Sequence, residues 1–152
     1  MPTPVRPHAT ALAALMAVVV PVTAAEAACP RPEPASAASL VRQIGALRAA
    51  HGVPALRPQA PIARPARAHS TRMARAGRLW HDDLRGWSSG RVAAQNVAAG
   101  GVVAAAMSAM THSPRHRAAL LSRRFRHVGV GAVRDCGGML VVTVNMTGPA
   151  PR

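Results

Sequence analysis

HSPRHRAALLSRRFRHVGVG, residues 112–131, reads as a short helix that feeds a glycine-punctuated strand. Pro114 suits the first position of that helix, where its missing N–H costs nothing, with Ser113 as the capping residue before it. His116 then sits on the first turn. From His127 to Val133 the spacing changes to the V-x-V alternation of a strand. Asp135-Cys136-Gly137-Gly138 supplies a turn, and Met139 to Met146 returns as Val, Thr and Val. A closing hairpin is therefore expected at the C-terminal end.

Working outward, Leu40, Val41, Ile44 and Leu47 recur at helical spacing from Ser39 onward. Ser36 or Ser39 is the cap and Gly52 the stop. Before it, residues 28–38 are proline-rich and read as an extended linker, because proline removes donors and disfavours helix in the residue ahead of it. Asp82 to Arg91, rich in Gly and Ser, reads as a loop. Val102 to Met110 is apolar nearly throughout and suits a buried helix.

The N-terminus has the pattern of a secretory signal over 1–27. An early Arg6 precedes the uncharged run Ala11 to Val22, and Ala25-Glu26-Ala27 offers the small-x-small site for cleavage near Ala27. A secreted or periplasmic domain of roughly 125 residues would remain, enough for a single core. No later stretch is long and apolar enough to serve as a transmembrane anchor. Cys29 lies near the cleavage point, but Glu26-Ala27-Ala28 lacks the leucine-type residue that lipidation of a cysteine calls for. In an oxidising compartment the simplest use of Cys29 and Cys136 is one disulfide, with two unpaired thiols as the alternative.

The formal net charge is +14, from 19 basic residues, all arginine, against 5 acidic ones. Arg115, Arg117, Arg123, Arg124 and Arg126 crowd one segment and must face water or an anion, which points to an anionic envelope component or lipid as partner. No nucleic acid is expected. One Phe, two Trp and no Tyr leave almost no platform on which bases could stack.

Four motifs lie in order along the chain: ARAHSTRMA at 66–74, LWH at 79–81, AAQNVAAG at 93–100 and the HSPRHR of 112–117. Together they resemble the CAP superfamily in its bacterial branch, the SCP-like secreted domains, from about Leu40 to Gly148. The resemblance implies an α+β fold, a three-layer α-β-α sandwich with an antiparallel-type central sheet, over 39–148. It also implies a second helix over about 62–77. Pro65 departs from the family pattern there, and since proline costs roughly 3 kcal/mol inside a helix, the expectation is a helix shortened to begin at Pro65.

In the family a cleft gathers a histidine after the second helix, the glutamate of a G-E-N motif and the histidine of an S-P-G-H-R motif. These correspond to His81, Gln95 and His116, with Asn96 keeping the asparagine. The glutamate is gone. His81 and His116 could share a zinc ion, the one cofactor the pattern admits, but a durable site wants three or four ligands and an amide oxygen is a poor one. Gln95 has no proton to exchange near neutral pH and cannot act as a general base. Only Asp82 or Asp83, beside His81, could replace that acid. His116 could equally bond backbone groups, Gln95 and Asn96 could satisfy backbone around a bend, and His69 reads as a helix-surface or packing residue. No G-x-S-x-G elbow surrounds any serine, and Asn145-Met146-Thr147 fits a glycosylation sequon too short to carry weight.

The function expected is a secreted, non-catalytic domain that binds an envelope lipid, polymer or protein through its basic surface and a degenerate His/His cleft. Two alternatives are a weak metal-dependent hydrolase using His81 and His116, and a cationic surface-active protein that acts by charge alone.

Overall fold

A computed structural model describes residues 29–150, so the signal segment expected over 1–27 lies outside the described residues. In chain order the elements are β1 (Arg31–Pro32), α1 (Pro34–Ala50), β2 (Arg57–Pro58), α2 (Ala60–Ala76), α3 (Arg85–Ser88), β3 (Ala93–Gly100), α4 (Val103–His112), α5 (Pro114–Leu121), β4 (His127–Arg134) and β5 (Leu140–Thr147). Strands β4 and β5 form the expected hairpin, in register from His127 opposite Thr147 to Arg134 opposite Leu140. The sheet runs β1-β4-β5-β3. The short β2 pairs in parallel with the start of β4, on the same outer edge that β1 occupies at its end.

Alternation along the strands splits the core into two layers. Leu140, Val142, Val144 and Met146 of β5 face one way, packing with Leu40 and Ile44 of α1, Met107 and Met110 of α4 and Leu120 of α5. Val141 faces the other way with Val133 and Val97, against Met73 and Ala74 of α2. Helices therefore cover both faces of an antiparallel sheet, the three-layer α-β-α arrangement expected. Cys29 and Cys136 are joined in a disulfide that ties the segment leading into β1 to the hairpin turn. In that turn Asp135 Oδ1 accepts hydrogen bonds from the N–H groups of Gly137 and Met139, at 2.9 and 2.7 Å.

Several boundaries differ from expectation for identifiable reasons. The extended segment expected over 28–38 gives way to helix at Pro34, five residues before Ser39, because Pro34 presets the first helical position and three alanines follow within four residues. Ser36 is not the cap. Its Oγ donates to Glu33 Oε2 at 3.4 Å, and Glu33 holds the cap position. Helix α2 is not shortened at Pro65 but runs through it from Ala60. The lost hydrogen bond is offset by packing: Gly129 and Gly131 of β4 have no Cβ, so the α2 backbone at Ile62–Ala63 and Ala66–Arg67 lies directly on the strand. The loop after Asp82 contains the single helical turn α3, and α4 buries only Ala106, Met107 and Met110 while much of it faces solvent.

Candidate functional site

Gln95 and Asn96 lie on the extended edge strand β3, not at a bend. Pairing of β3 with β5 puts Gln95 opposite Asn145 and Asn96 opposite Val144. Adjacent strand residues point to opposite faces, so the two side chains serve different layers. Asn96 Nδ2 donates to the carbonyl of His116 at 3.0 Å and so fastens α5 to the sheet. Gln95 works on the α2 side, where its Oε1 accepts from the backbone N–H of Asp82 at 2.8 Å and lies 3.3 Å from His81 Nδ1. Its Nε2 donates to Asn145 Oδ1 at 3.0 Å, and Asn145 Nδ2 donates to the carbonyl of Ile62 at 3.3 Å. Two amides thus relay donors and acceptors from His81 to the first turn of α2. Both are buried, and every polar atom in the relay has a partner.

His81, exposed, and His116, half-buried, meet across the edge of β3, with ring centroids 6.1 Å apart and ring planes at 66°. Burial and then the neighbouring His81 lower the pKa of His116, which favours its neutral form. Beside the pair is an open cavity of about 300 Å³, lined by His81, Asp82, Leu84, Ala93, Ala94 and Gln95. Two imidazoles supply half of a zinc coordination shell. Among the described residues no group of three or more His, Cys, Asp or Glu side chains converges to complete it.

Both acids beside His81 are engaged. Asp82 Oδ2 accepts from Arg72 Nη2 at 2.6 Å and lies 3.5 Å from His69 Nδ1, while Asp83 Oδ1 accepts from the backbone N–H of Arg85 at 3.0 Å. His69 is fully buried, a packing residue rather than a surface one. Its Nε2 bonds the carbonyl of Trp80 at 2.7 Å, and its ring meets the Trp80 indole edge-on. This fixes the loop that presents His81. Ser108 Oγ lies 3.2 Å from His112 Nδ1, but that nitrogen also bonds the Ser108 carbonyl at 2.9 Å, and the pair is an exposed contact within α4 with no acid beside it. Ser70, the one on α2, donates to Thr143 Oγ1 at 2.8 Å between helix and sheet. Asn145 is fully buried, so the sequon pattern marks a core residue.

Arg115, Arg117, Arg123, Arg124 and Arg126 are all exposed, on α5 and the turn after it. None is within ion-pair distance of a carboxylate among the described residues. Arg117 Nη2 donates to His51 Nε2 at 2.8 Å, Arg123 Nη2 donates to the Gly52 carbonyl at 2.6 Å and Arg126 Nη1 bonds the Arg123 carbonyl. Beneath them is Arg48, fully buried, which sequence reasoning missed. It donates to the carbonyls of Pro54, Leu120 and Ser122 at 2.7, 2.6 and 3.1 Å, locking the ends of α1 and α5 together. Burial, then Arg126 and Arg123, lower its pKa. The available signal was spacing, since Arg48 follows Leu40 and Ile44 at four-residue steps on one helix face.

The family profile described as CAP, cysteine-rich secretory protein family, matches residues 41–146. Among curated proteins none matches at a significant level. An outer surface protein from Borrelia burgdorferi superposes with a TM-score of 0.70 at 13% identity, over 79% of this chain and 98% of that one. An extracellular SCP-domain protein from Bacillus anthracis gives 0.67 at 24%, over 76% of this chain and 41% of that one. A cysteine-rich secretory protein from Staphylococcus aureus gives 0.64 at 22%, over 75% and 38%. These likenesses show the fold, and this chain spans about two fifths of the length of the last two.

Proposed function

The chain belongs to the cysteine-rich secretory protein family, CAP, and from that footing we propose that it is an extracellular, non-catalytic domain that binds an anionic component of the cell envelope. The ligand, a lipid, polymer or protein carrying negative charge, meets the face formed by Arg115, Arg117, Arg123, Arg124 and Arg126. The observation that carries this reading is that none of these five exposed guanidinium groups has a carboxylate partner among the described residues. Exposed cations without counter-charges attract anions over roughly a Debye length, about 8 Å at physiological salt. Secretion fits the disulfide between Cys29 and Cys136.

The groups held beside His81 argue against hydrolysis in the cleft next to the basic face. Gln95 stands where an acid would be needed, and Asp82 and Asp83 are held by Arg72 and the Arg85 N–H. A weak hydrolase would need one of those bonds to break first. Charge alone is the remaining alternative, and salt dependence separates it from a shaped site. The test measures binding to vesicles with and without phosphatidylglycerol across a salt series, beside a variant carrying Arg117→Gln, Arg123→Gln, Arg124→Gln and Arg126→Gln. Expected is retention only on anionic vesicles, a residual affinity at about 0.15 M salt, and at least roughly tenfold loss in the variant. Equal binding by the variant would overturn the proposal. Complete loss of wild-type binding in moderate salt would reduce it to charge alone.

A further inference from the structure

The sheet edge opposite the cleft is interrupted. Along the outer side of β4 the carbonyls of Arg126 and Val128 accept from the N–H groups of Arg57 and Gln59 at 2.8 and 2.9 Å, and the carbonyl of Ala132 accepts from Glu33 N–H at 2.9 Å. Backbone groups alternate in direction along a strand, so Val130, midway between, turns its N–H and C=O to the same side. That side faces away from β5, β1 and β2 pair with β4 only at 133–134 and 127–128, and neither group bonds a backbone group outside the strands among the described residues. The reason is local. After Gln59 the chain enters α2, and the residue that would continue the ladder is Pro61, which has no N–H. After Glu33 the chain enters α1 at Pro34.

Val130 is only 8% exposed and forms part of the wall of a cavity of about 270 Å³. Pro32, Pro34, Ala37 and Ala132 give that cavity an apolar lining, and Glu33 and Arg67 give it two charges. Glu33 is already paired with Arg134 at 3.2 Å and with Arg31 at 3.7 Å. Arg67 has no carboxylate partner among the described residues. An orphan donor and acceptor at a buried strand edge, an apolar hollow and one unanswered cation therefore converge.

We propose that this notch binds the carboxyl end of a short extended peptide. The peptide completes the missing rung of the ladder: one ligand N–H donates to the Val130 carbonyl and one ligand carbonyl accepts from the Val130 N–H. A small side chain fills the hollow and the terminal carboxylate meets Arg67. The site uses none of the five arginines of the basic face, so it stands or falls independently of the envelope-binding reading.

The test is an amide-resolved NMR titration of the disulfide-bonded protein with acetyl-Ala-Ala bearing a free carboxylate, and with its C-terminal amide. Expected is a saturable shift of the Val130 amide, with the amide probe at least roughly fivefold weaker for want of the charge-assisted bond. Arg67→Gln, at an exposed position, should erase that difference, and Ala37→Leu should fill the hollow and abolish the shift while circular dichroism stays unchanged. No saturable shift at Val130 with either probe would overturn the site. So would an equal shift in Ala37→Leu, and an unchanged preference in Arg67→Gln would overturn the carboxylate assignment.

Discussion

At the scale of single residues, the surroundings of position 95 call for an amide rather than an acid. Gln95 both accepts, from Asp82 N–H, and donates, to Asn145 Oδ1, and Asn145 passes a donor on to Ile62. A glutamate could accept but not donate, so Asn145 would have to turn over and set its oxygen against the Ile62 carbonyl. Gln95→Glu is therefore expected to lower stability by about 1–2 kcal/mol in urea denaturation, the cost of one unsatisfied buried group. His116 gives a pH signature of known sign. Its folded pKa is lowered by burial and by His81, so the unfolded chain takes up the proton first. Stability is then fully present above the ordinary histidine value near about 6.5, and declines as pH falls through that value toward the folded pKa. Melting temperature followed from about pH 8 to 5 should show that decline, and His116→Gln should flatten it. His81, His116 and Gln95 were legible in the sequence because each is flanked by a local motif. Asn145 and Arg48 were not, because their partners are 50 to 83 and 6 to 74 residues away.

At the scale of elements, the hairpin and α5 were readable from turn chemistry and from Ser-Pro at a helix start. Strand β3 was not. AAQNVAAG has the composition of a helix as much as of a strand, and only pairing with β5 decides it. Helix α2 shows tertiary packing prevailing over local preference, since it passes through Pro65 while resting on Gly129 and Gly131. The two sides of that balance can be tested in opposite directions. Pro65→Ala should restore a backbone donor and stabilise by about 1–3 kcal/mol. Gly131→Ala would drive a Cβ into the backbone of Ala66 and should destabilise by more than about 3 kcal/mol or prevent folding. If thermal denaturation showed both variants unchanged, the close contact of α2 with β4 would be wrong.

At the scale of the whole molecule, one covalent tie joins parts of the sandwich that are remote in sequence. The disulfide joins residues 107 positions apart, and constraining a loop of that size removes enough unfolded-state entropy to be worth about 4–5 kcal/mol on the chain-entropy model. Cys29→Ser with Cys136→Ser should shift the denaturation midpoint by that order. A shift under about 1 kcal/mol would mean that the core alone sets stability. Charge is the other global property. The four acids among the described residues are all engaged in ion pairs or backbone turns, which leaves the arginines of α5 and the turn after it facing solvent. Composition alone announced the excess of charge. The segment 115–126 already set His116 among these arginines, and the fold adds that Arg48 lies buried beneath them.

The most direct test of the account is a side-by-side measurement, at about 0.15 M salt, of binding to phosphatidylglycerol-containing vesicles by three proteins: the natural chain, the Arg117/Arg123/Arg124/Arg126→Gln variant and the His81→Ala, His116→Ala variant. The histidine variant should bind as the natural chain does, and the arginine variant should lose at least roughly tenfold in affinity. Loss of binding in the histidine variant with retention in the arginine variant would contradict it and move the function into the cleft.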